Sequence, residues 1–538
     1  MESSDVTLGD DRQAQLDERT ALTIARRPAW KSVLLVLTCS LAMMLNTASA
    51  SGLSVFFPVI GEALDVREDL LQWLVSAFSL SSGCFLLLFG RLADLYGRKK
   101  MYVGGTLYLA VMHLGCGFAQ NANTLFILRG FQGLGSAAYI PACLGILAHA
   151  FPPSRARSAA FATFSAGAPI GGALGTQVGA LLTQYTKASW RSSFYLLAGM
   201  AFLCAVGGLL LIDADLPSTE VDKRVDWIGA FLATAGLVLV IFVLSQGSLA
   251  SHGWKTGYII ALLIVGVIFL AMFIAWQHYL EKNESATDNR RPPPLMKLSM
   301  WTRAKGKFAV VQVIAFLQWS SFLTSYFWAQ LYYEDYVGLS PVLTGLRMLP
   351  MTIAGLSCNV FVMLVVSRMP LVVLISSGTL LTGLAALLYA LIEPSAPYWA
   401  YGFPSAIVSV CGADFVFAAG TIFVAKVSHP HEQSLAGGLF QTLTQFGTAF
   451  GLAISTISFD SIANGVEQEE APLRAYKAAQ WTAFAFAMFC TLLAVVFLRG
   501  VGPVGTDERQ KEEDLEDLEN ETVRVEEKEK ETVGVEEK

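Results

Sequence analysis

Charge is scarce in this chain. Only 15% of its 538 residues are Asp, Glu, Lys or Arg, while 54% are hydrophobic and the mean hydropathy is +0.52. A soluble protein of this composition would present large apolar surfaces to water, so lipid is the expected solvent. Cysteine pattern is lacking as well. Cys39, Cys84, Cys116, Cys143, Cys204, Cys358, Cys411 and Cys490 all fall in apolar runs without disulfide or metal-ligand spacing, so they are expected to pack as small hydrophobes. No nucleophile triad, metal cluster or phosphate-cradling loop stands out. These absences argue against an enzyme, against energy drawn from nucleotide hydrolysis, and against any metal or organic cofactor. Nucleic acid is not an expected partner. No cleavable signal peptide is visible: the first 31 residues are polar, and the first apolar run is too long for a signal core.

What the chain has in abundance is apolar runs of about 20 residues, the length needed to cross a bilayer. They lie near 33–59, 70–90, 102–119, 124–149, 159–183, 192–212, 227–247, 257–280, 308–331, 342–366, 370–392, 401–425, 435–458 and 479–499. Fourteen spans would leave both termini on one side. Arg91, Arg98, Lys99, Lys100, Arg155, Arg157, Lys223, Arg224, Lys282, Arg290, Arg291, Lys297, Arg303, Arg368 and Lys426 all fall in alternate loops. The other loops carry fewer cations and several acids: Glu62, Asp65, Glu68, Glu334, Asp335, Glu393, Glu467 and Glu469. The cation-bearing loops, and with them both termini, are therefore expected in the cytosol. The net charge of −6 misleads, because Asp507–Lys538 alone contributes −9 and leaves the body at +3.

The expected division follows these runs. Residues 1–31 form a disordered cytosolic tail, 32–213 a six-helix bundle, 214–306 two inserted spans and a cytosolic linker, 307–500 a second six-helix bundle, and 501–538 an acidic disordered tail. In the linker, Arg290-Arg291-Pro292-Pro293-Pro294 cannot continue a helix. The last tail repeats itself, with 521–528 recurring at 531–538 except for Gly534 in place of Arg524.

The most informative stretch is Gly90-Arg91-Leu92-Ala93-Asp94-Leu95-Tyr96-Gly97-Arg98-Lys99-Lys100. It joins two apolar runs tightly, with Gly90 and Gly97 where backbones must come close and Asp94 set among Arg91, Arg98 and Lys99 as one member of a compact ionic latch. This pattern resembles the signature loop between spans 2 and 3 of the major facilitator superfamily. Arg129, in Arg129-Gly130-Phe131-Gln132-Gly133-Leu134-Gly135-Ser136, puts Gln132 beside Ser136 on a polar helical stripe. It resembles the superfamily's span-4 motif, which implies a part in proton coupling. Gly167-Ala168-Pro169-Ile170-Gly171-Gly172-Ala173-Leu174-Gly175 predicts a kinked, glycine-faced helix. It resembles the antiporter motif of span 5, although Pro169 comes one residue late. Val225-Asp226-Trp227-Ile228-Gly229-Ala230, with Gly338-Leu339-Ser340-Pro341 and Gly345-Leu346-Arg347-Met348-Leu349-Pro350, is similar to the 14-span drug:proton antiporters, closest to their fungal multidrug and toxin-efflux branch. Asn46 stands where many relatives carry an acid, and it cannot titrate.

Ionisable groups deep in a span are costly and mark pathways. Arg129, Arg347 and Asp414 qualify; His113 and His278 are expected to be satisfied packing residues. Asp414 is about a dozen residues from either end of its run, too deep to reach an interface, and is the candidate proton carrier, with a structural acid as the alternative. Phe316, Trp319, Phe322 and Tyr326 share one helix face that Gln312 and Gln330 extend. That face suits flat amphipathic organic molecules and cations. Gln177, Gln441 and Gln445 join Asn46 and Gln132 as further cavity candidates. The expected protein is an all-helical integral membrane transporter with a central cavity. As a monomer in the plasma membrane or the vacuolar membrane, it exchanges protons for an exported small organic compound. Proton-coupled uptake of an iron chelate or amino acid is the rival within the fold, and a transport-dead receptor the rival outside it. The topology is checked by tags at residues 1 and 538, which should both be protected from external protease in intact cells; cleavage of either one refutes it.

Overall fold

The computed structural model describes residues 28–51, 57–66, 71, 73–152, 154–215, 223–247, 250, 252–283, 291–463 and 471–504. The expectations for most of the two tails, and those for Glu68, Arg290, Glu467 and Glu469, lie outside these residues. Every regular element among them is helical. The N-terminal bundle contains α1 (Ala29–Ser51), a short α2 (Phe57–Leu64), α3 (Trp73–Cys84), α4 (Leu86–Tyr96), α5 (Arg98–Gly117), α6 (Ala122–Ala150), α7 (Arg155–Ala173), α8 (Gly179–Tyr185) and α9 (Arg191–Leu211). The inserted pair is α10 (Trp227–Gln246) and α11 (Gly257–Lys282). The C-terminal bundle contains α12 (Lys307–Leu331), α13 (Pro341–Val365), α14 (Leu371–Ala390), α15 (Tyr398–Val427), α16 (Gln433–Ala463) and α17 (Ala471–Phe497).

Eleven described helices are long and apolar enough to cross a membrane, or twelve if α3 and α4, bent by 45°, form one broken span. The runs at 102–119 and 159–183 are helical but miss that mark. α5 opens on Arg98-Lys99-Lys100 and buries His113, while α7 opens on Arg155 and Arg157 and is rich in Gly, Ser and Ala. In the run 33–59, Ala29–Ser51 and Phe57–Leu64 are helical, and the residues between them lie outside those described. One expected span changes shape. The run 159–183 breaks at a π turn, Leu174–Val178, between α7 and α8, so the kink expected there takes the form of a π bulge downstream of Pro169.

Local chemistry sets the helix starts. Asn121, Ser154, Asp226 and Ser340 each accept a hydrogen bond from the backbone N–H three residues on, satisfying a donor the helix leaves free. Asp226 also accepts from Trp276 Nε1 at 3.0 Å and Gln277 Nε2 at 2.7 Å, and Gln277 in turn accepts from the Met296 N–H. One buried carboxylate thus starts α10, holds α11 beside it and anchors the linker.

Within the N-terminal bundle, α7 lies directly on α1. Side chains added at Gly167, Gly171 and Gly175 would collide with the carbonyl oxygens of Ser40, Met44 and Ala48. Both sets advance four residues at a time, so two helical stripes meet backbone to backbone. Gly172 faces aside, with only the Thr47 methyl at 3.9 Å. Gly171→Ala should therefore destabilise the solubilised protein by about 1–3 kcal/mol through overpacking. Gly104→Ala, at a helical position with open space around it, should hold or gain stability. Thermal unfolding of the two variants in one detergent checks the contrast, which equal midpoints would refute.

Candidate functional site

The two bundles are tied together at their cation-rich end. Asp94, on the last turn of α4, receives two hydrogen bonds from Arg98, 3.0 Å from Nε and 2.8 Å from Nη2. Its oxygens also accept the backbone N–H groups of Ser434 and Leu435, at 3.2 and 2.8 Å. These belong to the first turn of α16 in the other bundle, where unsatisfied donors and the helix dipole favour an anion. Arg98 also donates to the carbonyl of Gly145 in its own bundle and, across the seam, to that of Pro430. Gly90 allows the approach, because a side chain there would lie 2.9 Å from the Ser434 carbonyl oxygen. Gly97 turns the chain at φ +120°, with the Asp215 carboxylate filling the space a side chain would need. That carboxylate caps α5 through the N–H groups of Lys99 and Lys100. Arg91 is buried beside this loop. Lys99 turns to the carbonyls of Leu209 and Ile212.

The same seam holds a second pair. Arg303 of the linker binds Glu432, which also accepts the His429 N–H at 3.1 Å. Burial, with Arg303 and Lys297 nearby, holds the His429 imidazole below its usual range, so it adds no cation there at neutral pH.

Arg129 does not reach towards an interface. It is fully buried and donates to the Leu74 carbonyl (2.7 Å), the Ser49 carbonyl (3.0 Å) and Gln132 Oε1 (2.7 Å), with its guanidinium 4.6 Å from the centre of the Phe78 ring. It thereby joins α1, α3 and α6. Gln132 passes the network to His113, and His113 passes it to Ser49. A cleft between α1, the π turn, α8 and α9 ends on Ser49, Arg129 and Phe194. Asn46 sits apart, accepting from Ser136, which also bonds the Tyr139 hydroxyl.

Asp414 is buried in α15, and its Oδ2 has no hydrogen-bond partner. A methyl group added at Gly355 would lie 3.1 Å from that oxygen and 3.1 Å from Pro169 Cβ. The acid therefore lies where α15 and α13 of one bundle meet α7 of the other. Asn359, a turn along α13, donates to the Gly355 carbonyl and keeps its own Oδ1 unpartnered. Cys358 and Cys411, one on each helix, approach to 3.2 Å between sulfurs.

The proposed cavity residues are distributed rather than gathered. Phe316, Trp319, Phe322 and Tyr326 are all half-buried on α12. Phe316 packs on Phe446 and Phe450, and Trp319 on Phe417, which stacks with Phe164 across the bundle seam. Gln312 is buried with neither end of its amide partnered. Gln177 faces Gly345, and Gln445 faces Gly83, both across the seam. Gln330 bonds Glu334, and Gln441 accepts from Thr444. Arg347 lies over the rings of Tyr333 and Tyr398. His278 is exposed on α11. Sequence reading left out Ser49, Asp215, Asn359, Arg303 and Glu432 as site residues, and set His113 aside as packing; their partners are distant in sequence, and no local spacing announces them.

Removing the Asp94 charge tests the latch. Asp94→Asn should fold and express but weaken the seam by about 2 kcal/mol, the scale of a charge-assisted hydrogen bond. Transport should slow at matched surface expression; unchanged rates refute the role.

Comparisons with known proteins agree with this geometry. A sequence profile of the Major Facilitator Superfamily matches residues 39–226 and 218–452. The low affinity ammonium transporter of Saccharomyces cerevisiae is 31% identical over 459 residues, covering 83% of this chain and 84% of that one. Efflux pump terJ of Aspergillus terreus is 27% identical over 475 residues, covering 86% and 87%. Among solved structures, the human organic anion transporter MFSD10 (TETRAN) superposes with a TM-score of 0.62 at 14% identity, over 87% of this chain and all of that one. The proton:xylose symporter XylE also gives 0.62, at 12% identity, over 89% and 99%. With a profile match over most of its length and a bundle pair joined through the signature loop, the chain belongs to the major facilitator superfamily, a family of multi-pass membrane transporters.

Proposed function

We propose that the protein is a 14-span antiporter that exports small organic compounds in exchange for protons and works as a monomer in the plasma membrane, with the vacuolar membrane as the alternative site. The observation that carries this is the unpartnered carboxylate oxygen of Asp414, buried where α13 and α15 meet α7. A carboxyl group buried at a contact between the bundles, with Asn359 as its polar neighbour, makes the packing there sensitive to its charge. Loading and unloading a proton there as the bundles rock would couple the gradient to the conformational equilibrium. Arg129 holds the polar network of the other bundle in register. The half-buried aromatic face of α12 suits a flat amphipathic cargo. Export is favoured by relatives whose names describe it, the efflux pumps terJ and terG of Aspergillus terreus.

The ammonium transporter relative favours a second reading, movement of a small cation. In vesicles with an imposed pH gradient, proton-driven flux of a flat organic cation such as ethidium supports export, whereas flux of methylammonium alone supports the second reading. Asp414→Asn should reduce gradient-driven flux by about tenfold or more, within the usual range of coupling energies, while binding at fixed pH persists. Arg129→Ala should impair both. Concentrative flux that survives Asp414→Asn would make Asp414 a structural acid.

A further inference from the structure

His113 is completely buried in α5, and its two ring nitrogens are both engaged. Nε2 lies 3.1 Å from Ser49 Oγ of α1, and Nδ1 lies 2.9 Å from Gln132 Nε2 of α6. The donors and acceptors can be assigned from one end. The Arg129 guanidinium has only donors, so the Gln132 end facing it, 2.7 Å away, must be the amide oxygen. The amide nitrogen then faces His113, and Nδ1 must offer a lone pair. The ring proton sits on Nε2 and goes to Ser49 Oγ, whose own proton goes to the Leu45 carbonyl at 2.8 Å. Every polar group of the chain from Arg129 to Leu45 is satisfied, and only by a neutral imidazole.

We propose that His113 is a proton-responsive positioning residue that sets whether Gln132 holds Arg129. A proton on Nδ1 would point an N–H at the Gln132 NH2 group. Turning the amide round would relieve that contact but aim its NH2 at the guanidinium. With the amide unturned the Gln132–His113 bond is lost, with it turned the Gln132–Arg129 bond is lost, and in both a second cation appears beside the first. In the turned arrangement Arg129 keeps its carbonyl bonds to Leu74 and Ser49 but loses the tie within its own helix. Arg129 is the charged group that faces His113. α1 presents Ser49, α9 presents the Phe194 ring with its centre at 6.2 Å, and Cys116 on α5 lies near Arg129. A small cleft towards α8 and α9 has Ser49, Arg129 and Phe194 among its lining residues.

The inference builds on the proton-coupled reading, yet its test reads the ring itself and needs no substrate. In the full-length protein in lipid nanodiscs, nitrogen NMR of labelled His and Arg should show His113 near neutral pH with its proton on Nε2 and a bare Nδ1. On acidification the Arg129 side-chain signals should move together with the His113 ring. His113→Asn offers an oxygen to Gln132 but takes up no proton, so its Arg129 signals should stay still over the same range. Gln132→Glu presents an acceptor to both neighbours, and His113 should then carry a proton on Nδ1 near neutral pH. A proton on Nδ1 in the parent, or Arg129 signals that move equally in His113→Asn, overturns the proposal. Absence of any proton-driven flux would sink the antiport reading and leave these signals as they are.

Discussion

The carboxylate of Asp94 is shared between two bundles, and the closed cation-rich seam depends on that sharing. Three of its contacts are made at once: an arginine one helical turn away and two N–H groups at the head of α16. The arginine neutralises a charge that could not otherwise stay in so enclosed a place. The helix head supplies fixed donors that belong to the opposite bundle. Separating the bundles removes the second set and leaves the first, so the acid is never without a partner. The bond can therefore be broken repeatedly without stranding a buried charge.

Away from that seam, each bundle carries its own buried polar centre. Arg129, Gln132, His113 and Ser49 form a closed network whose partners lie within the N-terminal bundle. Asp414 and Asn359 each keep an unpartnered oxygen in the C-terminal bundle, against Pro169 of the other. The first centre is hydrogen-bonded throughout, and the second leaves these two oxygens without a placed hydrogen bond. At Gly355, α7, which packs on α1 along its glycine stripe, also meets α13.

Much of this was legible in sequence because the informative residues were local. The signature loop is eleven consecutive residues, and the pairing of Asp94 with Arg98 follows from their spacing. Arg129 and Asp414 stood out because charge within an apolar run is rare. What was not legible depends on distant meetings. His113 looked like packing because Gln132 and Ser49, its partners, lie on other helices. Nothing near Asp94 names Ser434 and Leu435, which are more than three hundred residues away and contribute only backbone. The count of fourteen rested on apolar length alone; the helix at 98–117 is diluted by the cations and His113 that serve the latch and the network, and that at 155–173 by Arg155, Arg157 and its small Gly, Ser and Ala residues.

The α10–α11 pair bears on how the join between the bundles is covered. Leu237 and Ile241 of α10 pack with Cys84 at the end of α3 and with Phe446 of α16, and Phe242 meets Trp73 at 5.8 Å between ring centres. α10 therefore lies along the join between the two bundles on that flank, and Asp226 fastens it to α11 behind. On the other side α7 packs directly against α13, so the two flanks of the join are closed by different means, one by an added helix and one by contact between the bundles themselves.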